Sequence, residues 1–146
     1  MKKLVASVVL LTIMLTTFAS CDRKVLLKDA QTPAEIREFV QIHFPENSIV
    51  QTIKEIDDFE VTFDVTLKGG IFLEFNRAKQ IIEIDSKNGT VPSSAISPKI
   101  TEYVSTNYPD TRILQWEIDD RRQKVKISNA MELEFTKSGE FLMIDD

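Results

Sequence analysis

Few side chains in this 146-residue sequence could carry chemistry. His43 is the single histidine, so a Ser-His-Asp or Cys-His system would have to use it. A histidine beside Phe44, near the end of an apolar stripe, is better read as a helix-surface or boundary side chain, and Asn107 takes its place in the second copy. One histidine and one cysteine, Cys21, fall short of the ligand set of a zinc site. The acid pairs Asp57-Asp58 and Asp119-Asp120 have the charge to hold calcium or to act as acid and base, yet they lack the alternating ligands of a calcium loop. Turns between strands also select aspartate for its backbone geometry. No nucleophile, base and orienting group fall together, so the sequence predicts a noncatalytic chain with no cofactor and no metal.

A second group of residues is suited to recognition. Glu74 and Glu134 each sit between core positions in Leu-Glu-Phe, and a period of two sends both carboxylates to one sheet face. The same face is expected to carry Phe72, Lys124, Lys126, Glu132, Phe141 and Met143, the aromatic and charged mixture common on binding surfaces. Trp116 has the character of an interface anchor, although the strand register near Leu114 places it either on that surface or in the core.

These residues need elements to hold them. A composition of 42% apolar and 28% charged residues, with 4 glycines and 5 prolines, excludes collagen-like, low-complexity and wholly disordered chains. The net charge is −5, and Lys2 and Lys3 at the start leave the rest more acidic still, which argues against nucleic-acid binding. Ile36 to Pro45 matches Ile100 to Pro109 at an offset of 64, and Leu73-Glu74-Phe75 matches Leu133-Glu134-Phe135 at an offset of 60. Such self-similarity predicts two copies of one unit.

Thr32-Pro33 and Ser97-Pro98 place a capping hydroxyl before a proline suited to a first helical turn. Ile36, Phe39, Val40 and Phe44, like Ile100, Tyr103, Val104 and Tyr108, then form a single helical stripe ended by Pro45 and Pro109. Strand alternation follows, as in Val61, Phe63, Val65 and Leu67 against Thr62, Asp64 and Thr66. The expected fold is α+β: two tandem helix-plus-four-strand antiparallel units, residues 32–87 and 97–146, with helices packed on one face of the sheet. The units form one continuous sheet or a tight tandem, joined by Asn88 to Ser97.

Residues 1–20 read as an export signal, with Lys2-Lys3 ahead of an apolar run from Leu4 through Phe18. That run covers about 22 Å as a helix, short of the roughly 30 Å needed to span a bilayer. Phe18-Ala19-Ser20-Cys21 resembles the lipobox of bacterial lipoproteins, which implies a lipidated Cys21 and a membrane partner. The competing reading is a secreted chain with a free thiol at its new N-terminus. Residues 21–31 would then be the lipidated cysteine and a polar tether, in a periplasmic or surface-exposed envelope protein.

Tandem Pro-flanked helices ending in Phe-Pro or Tyr-Pro, with strands ending in Leu-Glu-Phe and Ile-Asp, resemble the PepSY-like family over Thr32 to Asp146. Its fold is also called beta-lactamase-inhibitor-like. The resemblance implies a noncatalytic envelope module that binds a protein or peptide, as an inhibitor would, through the sheet face opposite the helices. The alternative is a periplasmic sensor or carrier for a small molecule or cation, held in a concavity between the units lined by Glu74 and Glu134.

Overall fold

The computed structural model describes residues 23–57 and 60–145. In chain order these form β1 (Arg23–Leu27), α1 (Ala34–His43), β2 (Ile49–Asp57), β3 (Glu60–Leu67), β4 (Phe72–Phe75) and β5 (Ile81–Asp85). Then come α2 (Pro98–Asn107), β6 (Ile113–Ile118), β7 (Arg122–Ile127), β8 (Glu132–Thr136) and β9 (Phe141–Asp145). Short 3-10 turns cover Asp29–Gln31 and Ser93–Ala95. The signal-like stretch 1–20, Cys21 and Asp58 lie outside the described residues.

The expectation of two tandem helix-plus-four-strand units is corrected. The strands build a single nine-stranded antiparallel sheet in unbroken order from β1 to β9, and the two helices are only ten residues each, so the chain is mostly β. Two pairings decide this. Glu83, Ile84 and Asp85 of β5 pair with Glu117, Trp116 and Gln115 of β6, which fuses the halves across the middle. Arg23–Leu27, placed by the sequence in a polar tether, pairs with β2 and extends the sheet by one strand.

Period-two alternation sorts the sheet into two faces. Phe63, Val65, Leu67, Leu73, Phe75 and Ile84 from the first half are buried beneath the helices, as are Trp116, Val125, Ile127, Leu133 and Phe135 from the second. Ile36 and Val40 of α1 and Ile100 and Val104 of α2 close this core. Phe39 meets Phe75 edge-on at 5.3 Å, and Tyr103 meets Phe135 edge-on at 5.5 Å, so each helix docks through an aromatic contact.

The expected hydroxyl caps do not form. Pro33 itself is the N-cap of α1, while Thr32 donates from Oγ1 to Thr52 Oγ1 at 3.0 Å in a buried contact. Ser97 is the N-cap of α2 with no side-chain capping bond, and its hydroxyl lies where a Cβ on Gly139 would come within 2.7 Å. Gly139, at φ +85°, thus lets the β8–β9 turn approach the start of α2.

The connector after β5 covers the middle of the helix-bearing face at one end. Val91 N–H donates to Ile113 O at 2.8 Å, and Val91 and Ile96 are buried. His43 belongs to this junction: its Nδ1 lies 2.9 Å from Ser94 Oγ and its ring 4.4 Å from that of Phe39, while burial holds its pKa below the usual value. Its contacts tie α1 to the connector.

Candidate functional site

Both helices lie on one side of the sheet, and among the described residues nothing covers the other. Antiparallel register turns that bare face into rows of side chains, each in contact distance of its cross-strand neighbours. One row runs Ile53, Asp64, Glu74, Glu83, Glu117, Lys124, Glu134, Met143 through successive pairings of β2 to β9. Four acids in succession, Asp64 to Glu117, therefore lie side by side before the first cation is met.

The row is electrostatically strained where it is most acidic. Burial, then the charges of Asp64, Glu83, Glu55 and Glu60, pushes Glu74 up to about 7. Burial and the neighbouring Glu55, which also shares a hydrogen bond with it, raises Asp64 to about 6. Glu83 is raised by burial and by Glu117 and Asp85. Like charges on adjacent strands repel, so the protein retains protons here that isolated carboxyls would have lost. Nearby cations are engaged at the margins: Lys24 pairs with Glu55, and Lys87 with Asp85 at 3.3 Å.

The β7–β9 end of the same face is balanced instead. Glu134 is 5% exposed and pairs with Arg122 and with Lys124 at 3.4 Å. Lys124 also reaches Asp145 at 3.0 Å, and both carboxylates raise its pKa, Asp145 foremost. Lys126 pairs with Glu132 at 3.5 Å. Glu74 and Glu134, alike in sequence context, thus differ in state: one crowded by acids, the other clamped between cations.

Of the residues predicted for this face, Phe72, Glu74, Lys124, Lys126, Glu132, Glu134 and Met143 occupy it. Two do not. Trp116 is 5% exposed on the helix-bearing face, paired with Ile84 and Val125, and its Nε1 donates to Gln123 Oε1 at 2.9 Å. Phe141 also points that way, stacked on Tyr103 at 4.5 Å, because a bulge beside Glu134 and Phe135 shifts β9 by one residue. Glu74 and Glu134 do not line a shared concavity: Glu83, Glu117 and Lys124 stand between them on the sheet, and the small hollow there is lined by Glu83, Glu117, Lys124 and Glu132 instead.

Asp64, Glu83 and Glu117 were missed as site residues. Alternation assigns each to the bare face, but their alignment into one row depends on hairpin register, which no local pattern supplies. Of the acid pairs, Asp119 Oδ1 accepts from the N–H groups of Arg121 and Arg122 at 2.6 and 2.7 Å, bonds that lower its pKa and close the β6–β7 turn. Among the described residues, no group of three or more histidine, cysteine or acidic side chains is placed to hold a metal ion. No helix among them is long and apolar enough to cross a membrane.

Comparison with known proteins agrees with this architecture. A structure of a "putative periplasmic protein" from Bacteroides vulgatus superposes with a TM-score of 0.80 at 32% identity, covering 86% of this chain and 99% of that one. A "putative calcium-regulated periplasmic protein" from Bacteroides thetaiotaomicron gives 0.79 at 30% identity, covering 84% and 97%. A further "putative periplasmic protein of unknown function" from Bacteroides vulgatus gives 0.79 at 32%, covering 85% and 100%. No curated protein matches. Residues 61–143 match the profile of the family described as "Putative beta-lactamase-inhibitor-like, PepSY-like". With this match, and with relatives of that identity along nearly their whole length, the chain belongs to the PepSY-like family.

Proposed function

We propose that this protein is a noncatalytic periplasmic binding module whose bare sheet face takes a basic protein or peptide segment. The observation that carries the reading is the uninterrupted row Asp64, Glu74, Glu83, Glu117, four acids side by side on a face no helix covers. Lysine or arginine side chains from a partner would relieve the repulsion that, after burial, raises the pKa of Glu74. Phe72, half-buried beside the strip in the row of Asp85 and Thr66, adds an apolar contact. The periplasmic relatives support the location.

Binding of a Lys/Arg-rich peptide, followed by calorimetry, is expected to tighten from pH 6 to pH 8, because the arriving cations must displace protons at the lower pH. It should weaken with salt, as exposed charge pairs do. Paired Glu74→Gln and Glu83→Gln changes should reduce affinity at least tenfold. An affinity independent of pH and of both substitutions would remove the acidic strip from the binding surface.

A second reading rests on the relative described as a "putative calcium-regulated periplasmic protein": although no group of three or more acidic side chains among the described residues is placed to hold a metal ion, calcium attracted to the strip would screen it and weaken the hold on a basic partner. Millimolar calcium that neither raises the melting temperature nor weakens the peptide complex would exclude it.

We also propose that Cys21 is lipidated and holds the domain at a membrane. One acyl chain anchors only marginally, whereas two or more anchor stably. Mass spectrometry of the mature protein should find an N-terminus at Cys21 carrying a diacylglyceryl mass; an unmodified thiol there would show a freely soluble secreted form.

A further inference from the structure

The nine-stranded sheet has two edges, β1 and β9, and the chain enters it at one corner. Arg23 opens β1 opposite Ile56, and Asp22 alone separates it from Cys21. Two Cα steps span about 7 Å at most. Because Arg23–Leu27 is paired with β2 along its whole length, no leash of polar residues lies between Cys21 and the domain. A lipid on Cys21 therefore brings this corner to the bilayer surface, whereas β9 stands eight strand spacings away, about 38 Å.

Four surfaces meet near that corner, and their charges differ. The bare face carries the row Asp64, Glu74, Glu83, Glu117. The helices expose Glu35, Glu38 and Glu102 against Arg37 and Lys99. The end of the sheet at the β6–β7 turn mixes both signs, with Asp119 and Asp120 beside Arg121. The β1 edge differs from all three. Arg23, Lys24 and Lys28 are exposed along it, and residues 23–28 hold no acid. Lys24 is paired with Glu55, yet its side chain remains 58% exposed. Among these cations Leu26 is 68% exposed, and Val50, just beyond the last β1 partner Thr52, is 62% exposed. Basic and apolar side chains so mixed suit the boundary between anionic headgroups and acyl chains, where the cations are attracted and leucine leaves water.

We propose that the β1 edge is a membrane-docking surface for anionic phospholipid. The proposal rests on lipidation of Cys21, and it adds that the domain stands on one edge instead of moving on a free tether. Arg23 and Lys28 meet the headgroups, with Leu26 and Val50 at the level of the interface. In this posture the acidic row begins two strands above the bilayer at Asp64 and ends five strands above it at Glu117, about 10 to 24 Å from β1. The anionic surface repels the row, which stays open to a basic partner arriving from the aqueous side.

The test uses the protein purified with its native N-terminus from the cell envelope and reconstituted into vesicles of phosphatidylglycerol and phosphatidylcholine. Mass spectrometry of the same sample reads the state of Cys21, whose thiol a lipid would block. Leu26→Cys or Met143→Cys then offers one reactive thiol for a fluorophore, at exposed positions on opposite edges of the sheet. A nitroxide on the phospholipid headgroup should quench the label at position 26 at least threefold more than the label at position 143. Vesicles of phosphatidylcholine alone, or Arg23→Gln together with Lys28→Gln, should cut that ratio at least twofold. Equal quenching at the two edges in protein whose Cys21 is lipidated would overturn edge docking and leave the anchor standing. A ratio that ignores both headgroup charge and the paired substitutions would also overturn the proposal, since the short linker alone would then set the posture. An unmodified Cys21 would overturn the anchor and, with it, the docking that rests on it.

Discussion

Phe135→Ala is expected to cost about 3–5 kcal/mol of stability, a large share of the roughly 5–15 kcal/mol typical of a domain. Phe135 of β8 is 0% exposed and meets Tyr103 at 5.5 Å and Phe141 at 5.8 Å, both edge-on. Removing the ring opens a void beneath α2 and forfeits both aromatic contacts, and the stack of Tyr103 on Phe141 above it resists collapse into the space. Phe141→Ala, at a partly exposed edge-strand position, should cost distinctly less, because water can refill what the ring vacates. Urea unfolding measures both: the midpoint should fall strongly for Phe135→Ala with little change in slope. Equal losses for the two variants would mean that α2 does not depend on the buried ring.

Glu74→Gln is expected to stabilise the protein at pH 8 and to have little effect at pH 4. The folded-state pKa of Glu74, about 7, lies above that of an unfolded glutamate, about 4.5. Between those values the folded state holds the proton that the unfolded state has lost, so stability falls as pH rises through this window and levels off above it. Asp64, raised to about 6, acts in the same direction over a lower window. Both groups are only half-buried, and solvent screening reduces the effect of Glu74 to about 1–2 kcal/mol. Glutamine keeps the shape and removes the charge, so urea midpoints measured from pH 4 to 8 should flatten in the variant. A wild-type profile already flat between pH 4.5 and 7 would show that the strip is not crowded. The same repulsion links stability to binding: a basic partner that relieves it should gain affinity over the pH range in which the free protein loses stability.

Much of the local structure is legible in the residues themselves. The stripes Ile36-Phe39-Val40-Phe44 and Ile100-Tyr103-Val104-Tyr108 produce helices, since three turns with one apolar face have a single way to bury it. Alternation in β3, β4 and β8 places Phe63, Val65, Leu73, Leu133 and Phe135 inward and sends Glu74 and Glu134 to the opposite face. The family was likewise visible in the tandem Phe-Pro and Leu-Glu-Phe pattern, because turn, cap and core positions are spaced by the fold. The hydroxyl caps failed as expectations because Thr32 found a partner in Thr52, on a strand twenty residues away.

What remained hidden is non-local. Arg23–Leu27 looks like a tether because its strand character comes from pairing with β2, not from its own polar-flanked composition. Trp116 was ambiguous because its direction depends on register, which bulges in β6 can shift, and Phe141 turned inward for the same reason in β9.

Period and capping are properties of a short stretch of backbone, so the sequence by itself determined which segments are helix or strand and which side chains share a face. Joining the halves through β5 and β6, aligning four acids into one strip, and drawing Arg23–Leu27 into the sheet were decided only by tertiary structure. Each depends on which strand lies beside which and in what register, and that choice is made by contacts between residues far apart in the chain.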